Sequence, residues 1–144
     1  MSNTVITISR QYGSGGRELS EILAKKLGVK LYDRQIIHMA AAMLGIGDLT
    51  DESLRELENK VLPLSSAFMP FYSFGSHAGP NVNTELFLAE SKVIHQLVND
   101  GPCVILGRCA DYILSEQENH YSFFIYADDD YRASRGKQLM LENP

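Results

Sequence analysis

Four residues, Gly13-Ser14-Gly15-Gly16, separate the apolar run Thr4-Val-Ile-Thr-Ile8 from an amphipathic segment that begins at Arg17. The order is strand, tight loop, helix. A strand delivers the backbone to the edge of a sheet, glycines let it turn its N–H groups inward, and the new helix adds the positive end of its dipole. Such a turn is a phosphate cradle. Its place directly after the first strand and the flanking Arg10 and Arg17 favour phosphate binding over a plain strand-to-helix turn.

Alternation continues beyond the loop. Leu19, Ile22, Leu23 and Leu27 share one helical face before Gly28, a short strand runs from Val29 to Tyr32, and Ile36, Ile37, Ala40, Met43 and Leu44 recur at helical spacing up to Gly45. This βαβα pattern predicts an α/β fold with a parallel sheet. Asp51 and Glu52 suit the first turn of a helix over Thr50 to Val61. The stretch from Pro63 to Asn83 mixes prolines and glycines with Phe68, Phe71, Tyr72 and Phe74, and reads either as a substrate-side cover or as disorder. A further helix is expected from Thr84, capped by Asn83 or Thr84, through Leu86, Ala89, Val93, Ile94 and Leu97 to Gly101-Pro102. Strand three is Cys103 to Leu106, a helical turn covers Asp111 to Leu114, strand four is Tyr121 to Tyr126, and a polar helix starts near Asp129.

With 144 residues, 44% of them hydrophobic, the chain suits one compact domain with its own core. A formal charge of -5 argues against a nucleic-acid partner. No apolar stretch approaches the roughly 20 residues that cross a bilayer, and no basic n-region precedes the first strand, so a cytoplasmic protein with no membrane partner is expected. Cys103 and Cys109 lack metal-like or redox-like spacing and read as reduced thiols in or near the core. His77 and His95 show no ligand spacing either, so a metal site made by protein side chains alone is not expected. A dinucleotide fingerprint needs a third glycine where Glu18 stands, which weakens an oxidoreductase reading even though Asp33 lies at a suitable distance.

The loop also departs from a Walker A motif, which places Lys and then Ser or Thr where this chain has Gly16 and Arg17. Three stretches, Ile6-Thr-Ile-Ser-Arg-Gln-Tyr-Gly-Ser-Gly-Gly-Arg-Glu-Leu19, Leu31-Tyr-Asp33 and Ile105-Leu-Gly-Arg108, resemble the cytidylate kinase-like family, a branch of the P-loop nucleoside monophosphate kinases. The Ser9 to Arg17 portion is the specific part, and the likeness extends from Thr4 to about Arg135. It implies a P-loop NTPase-type parallel sheet in the order 2-3-1-4, with the family's fifth strand not present in this chain. It also implies a single domain over 1–144, a helical monophosphate-side insertion over 46–100 and a partial lid over 128–144. The activity implied is transfer of the γ-phosphate of ATP, with Mg2+, to a nucleoside monophosphate such as CMP.

Carried over residue by residue, the resemblance gives Gly13, Ser14, Gly15 and Gly16 to the donor phosphates. Arg17 would restore the missing positive charge from the first helical turn, although a guanidinium does not reproduce an ammonium. Asp33, after strand two, would order magnesium-bound water or orient an acceptor oxygen, with a helix N-cap as the alternative. Gly107-Arg108 matches a pair that grips the acceptor phosphate, which arginine's fork suits. Arg132 and Arg135 resemble lid arginines that reach the donor, with pairing to Asp128 or Asp129 as the alternative. An aspartate expected after the Gly-Arg pair is Cys109, and an arginine expected after strand two falls on Met39, with His38 beside it as either substitute or structural residue. The other reading left open is a phosphate or nucleotide binder without turnover.

Overall fold

The computed structural model describes residues 3–45 and 82–142. The expected helix over Thr50 to Val61, most of the Pro63 to Asn83 stretch, and His77 lie outside the described residues. Among the described residues nine elements follow one another: β1 (Val5–Arg10), α1 (Gly16–Leu27), β2 (Lys30–Tyr32), α2 (Gln35–Met43), α3 (Val82–Asp100), β3 (Cys103–Leu106), α4 (Ala110–Ile113), β4 (His120–Ile125) and α5 (Asp129–Glu142). The strands form one parallel sheet in the order β2-β3-β1-β4, the expected arrangement. Helix α3 already contains Asn83 and Thr84, which the sequence reading placed at its cap.

The sheet is covered on both faces, as a parallel sheet must be. One core joins Val5, Cys103 and Ile105 to Ile36, Ile37 and Ala40 of α2 and to Leu86, Val93, Ile94 and Val98 of α3. The other joins Ile8, Val104 and Leu106 to Ala24 of α1. The five apolar α3 positions named from spacing are all buried. Helix α1 differs from expectation. Its buried residues are Gly16, Ser20 and Ala24, whereas Leu19, Ile22 and Leu27 are exposed. The reason is close approach: small residues four apart let the helix lie near the sheet, and Ser20 Oγ donates to the Gly16 carbonyl at 2.7 Å, so its hydroxyl needs no other partner. In α2 likewise Met43 and Leu44 stay exposed while Ala41 is buried.

Strand β1 runs two residues beyond the expected end at Ile8. Its register on β3 finishes at Ile8↔Leu106, but its register on β4 continues through Ser9↔Phe124 to Arg10↔Ile125. The strand therefore projects past β3 at the C-terminal edge of the sheet. No helix of the described residues is long and apolar enough to cross a membrane.

Candidate functional site

The site lies where the chain leaves the C-terminal ends of β1 and β3. From β1 the chain passes through α1 to β2 on one side, and from β3 it passes through α4 to β4 on the other, so these adjacent strands mark a topological switch point. Open α/β sheets bind ligands in the crevice at such a point.

Gly13 and Gly15 both have left-handed backbones, with φ of 77° and 85°. Ser14 N–H donates to the Gln11 carbonyl at 3.2 Å, which closes the turn, and the first intrahelical bond of α1 runs from Leu19 N–H to the Gly15 carbonyl at 3.0 Å. Gly15, at the N-cap, has no side chain to offer the helix start. The amides of Gly16, Arg17 and Glu18 thus have no acceptor within the helix, and the buried Ser14 Oγ has no hydrogen-bond partner among the described residues. These groups fit a phosphate. Two of the glycines also make room for neighbours. A Cβ on Gly13 would stand 2.5 Å from the Arg132 carbonyl oxygen, and one on Gly16 would stand 2.7 Å from Cβ of Arg10.

Beside the loop, an open cleft of about 350 Å³ is lined by Arg17, Asp33, Arg34, Gln35 and His38 among others. It adjoins the glycine loop on the β2 side. Arg17 Nη1 lies 3.8 Å from Asp33 Oδ2, and Arg17 Nε lies 3.5 Å from Glu21 Oε1. Arg34 occupies the N-cap position of α2 and makes no side-chain cap there, so Asp33 is not that cap and its carboxylate is directed to Arg17 instead. His38 lines the same cleft, while Met39 is exposed.

After β3 the backbone is left-handed at three successive residues, Gly107, Arg108 and Cys109, with φ of 67°, 60° and 53°. Such geometry at two non-glycine residues costs of order 1–3 kcal/mol each and needs surrounding structure to hold it. It brings Arg108 Nη1 to 3.9 Å from Glu90 Oε1, both side chains largely buried. Burial pushes the Cys109 thiol up, Asp111 and Glu90 add to the shift, and Arg108 opposes it. Cys103, inside β3, is raised by burial to about 11. Both are therefore protonated, unreactive thiols at neutral pH.

Helix α5 docks beside the loop through Gly13 against Arg132 and through buried Gly136, where a Cβ would stand 3.1 Å from the Tyr12 ring. Arg132 donates to the Ala127 carbonyl at 3.2 Å and to Asp129 Oδ1 at 2.6 Å, the local pairing left open by the sequence. Arg135 pairs with Glu18 in the first turn of α1 and lies over the Tyr131 ring at 5.8 Å. The structure thus brings Arg17 and Asp33 together and sets Arg132 and Arg135 at the other side of the loop. His95 is exposed on α3.

Arg10 is the residue to which sequence reasoning gave no task beyond flanking the loop. At the end of β1 it stands on the same strand face as Ile6 and Ile8, and Asp33, Arg17 and Arg108 all act on its charge. The signal was present in two glycines, Gly16 and Gly107, whose missing side chains leave the space it fills. Among the described residues no group of three or more His, Cys, Asp or Glu is arranged to hold a metal. Asp33 and Glu21 are the carboxylates that line the cleft beside the loop. One or two carboxylates suit magnesium, which takes most of its ligands from phosphates and water.

A model of the cytidylate kinase-like family matches residues 5–142. Among solved structures, the crystal structure of an uncharacterized protein from Eubacterium ventriosum ATCC 27560 matches with a TM-score of 0.62 and 22% identity. That match covers 95% of this chain and 62% of the other, so the present chain spans less than two thirds of its length. At this identity the likeness supports the fold alone. No curated protein matches the chain.

Proposed function

This chain belongs to the cytidylate kinase-like family, and from that premise we propose that it transfers the terminal phosphoryl group of ATP to a nucleoside monophosphate of the CMP type in the cytoplasm. At the level of the family, a nucleotide kinase-like role is supported; the donor, the acceptor and the location are our reading. The observation that carries it is the uncapped start of α1 behind Gly13 and Gly15. Amides there and the helix dipole favour a polyphosphate without any lysine.

In this reading each cation has a task. Arg17 neutralises the phosphoryl group from the first turn of α1, and Arg108, held by its left-handed turn, grips the acceptor phosphate. Arg132 and Arg135 leave Asp129 and Glu18 for phosphate oxygens when the site is filled. The nucleotide supplies the phosphoryl group and magnesium supplies charge neutralisation, with Asp33 the residue to hold the ion through water. What the protein contributes is position and field, which is most of what phosphoryl transfer asks of an enzyme. Binding without turnover is the second reading, and Gly16 favours it because it places no ammonium in the loop.

The test offers the purified chain ATP, Mg2+ and each nucleoside monophosphate while ADP is followed, with Arg17→Ala alongside. Acceptor-dependent ADP that falls at least about tenfold in Arg17→Ala supports the kinase, since one charge-assisted contact is worth that much. ATP binding with no ADP above background under any acceptor leaves the binder. Absence of both binding and turnover rejects the two together.

A further inference from the structure

We infer that Arg10, at the end of β1, is the cation of the phosphate loop, and that Gly16 is the notch through which its side chain reaches the site. The inference rests on the phosphate-binding reading given above and assigns a residue to it. It starts from packing. A Cβ on Gly16 would lie 2.7 Å from Cβ, 3.1 Å from Cδ and 3.3 Å from Cγ of Arg10. The aliphatic stem of Arg10 therefore runs across the bare Cα of Gly16, and any side chain at position 16, lysine included, would collide with it, most closely at the Cβ that the strand backbone fixes. Lysine at 16 and arginine at 10 exclude one another in this backbone.

The far end of the side chain lies in the space left by a second glycine. Nη1 of Arg10 lies 3.2 Å from the point where a Cβ on Gly107 would stand. Gly16 opens α1 and Gly107 follows β3, so the guanidinium spans the switch point between the adjacent strands β1 and β3. There it joins the charges of Arg17 and Arg108, with Asp33 as the opposing carboxylate. Arg17 has Asp33 and Glu21, and Arg108 has Glu90. No carboxylate of the described residues lies within ion-pair distance of Arg10. Although Arg10 is exposed as a whole residue, burial of its charged end is the largest influence on its pKa and lowers it, and Arg17 and Arg108 act the same way. Like charges gathered around a partly desolvated guanidinium favour an anion between them, and a planar fork suits two oxygens of one phosphate.

The experiment is a rescue, read by calorimetric titration with inorganic tripolyphosphate and with ATP in the absence of acceptor. Arg10→Gln is expected to weaken both about ten- to hundredfold, the worth of one to two charge-assisted hydrogen bonds. Gly16→Lys alone is expected to weaken binding as well, because the new side chain collides with the Arg10 stem. Combined, Arg10→Gly with Gly16→Lys is expected to bind at least about tenfold tighter than Arg10→Gly alone, since losing Cβ, Cγ and Cδ at position 10 vacates the notch for the lysine stem. A purely structural role for Arg10 predicts no such recovery. Urea denaturation of each variant checks folding, and Arg10→Met, which keeps an aliphatic stem without the charge, serves with the same expected loss of affinity if Arg10→Gln is unfolded. Unchanged tripolyphosphate affinity in Arg10→Gln, or a double variant no better than Arg10→Gly alone, overturns the role of Arg10 while leaving the phosphate site standing. Failure of the unsubstituted chain to bind either probe overturns both.

Discussion

Glycines at two positions of this chain carry the same left-handed backbone for different reasons. Gly28 ends α1 with φ of 66° and nothing within 4 Å of an added Cβ, so its need for glycine is conformational alone. Gly13 has φ of 77° and in addition the Arg132 carbonyl 2.5 Å from an added Cβ. Gly28→Ala should cost about 1 kcal/mol, the penalty for a left-handed alanine. Gly13→Ala should cost about 2–4 kcal/mol, because a backbone carbonyl must also move. Urea midpoints decide it: equal losses would mean that α5 does not press on the loop. The unusual backbone of the glycine loop was legible residue by residue because glycine clusters announce it. The role of Arg10 was not, since it depends on β1 continuing through its pairing with β4, a long-range effect that the apolar run ending at Ile8 does not reveal.

Among the elements, α3 was legible and α1 only in outline. In α3 the large apolar residues face a broad core, so periodicity identifies the buried side. In α1 the buried stripe is Gly16, Ser20 and Ala24, too small to register as hydrophobic, and Leu19, Ile22 and Leu27, which do register, face outward. Close packing of a helix start on the strand that precedes it selects for small size over apolarity. The junction of α1 and α5 gives the element-scale prediction. Glu18 places a carboxylate in the first turn of α1, where the dipole favours anions, and holds Arg135 of α5. Glu18→Gln should raise tripolyphosphate affinity about two- to fivefold by removing a competing negative charge and releasing Arg135. Amide exchange across residues 129–142 should quicken in the same variant, within the small range expected of a part-exposed ion pair. A fall in affinity would show that Glu18 supports the site instead of competing for it.

For the molecule as a whole, the parallel sheet followed from alternation of strand and helix, the strand order was implied by the family resemblance, and the switch point followed from the order. What alternation does not supply is exposure: the aromatic run Tyr121 to Tyr126 reads as a strand, yet Tyr121, Phe123 and Phe124 are exposed on an edge strand that pairs only with β1 among the described residues. The buried thiol of β3 ties the stability of this sheet to pH. Cys103 is 3% exposed, and burial raises its pKa from 9.0 to about 11. Above the unfolded value the unfolded chain releases this proton while the folded chain keeps it, so the folded state binds more protons and stability falls with rising pH. The contribution is fully present below pH 9 and is lost as pH rises through about 11. Two pKa units correspond to about 2–3 kcal/mol. Cys103→Ala loses some packing at every pH, but its stability should decline less than that of the unsubstituted chain between pH 9 and 11. Tyrosine and lysine titrations are common to both proteins and cancel in the difference. Parallel urea-stability curves over that range would mean that water reaches the thiol through the sheet, and that the central strands are less tightly covered than Val104, Ile105 and Leu106, all buried, indicate.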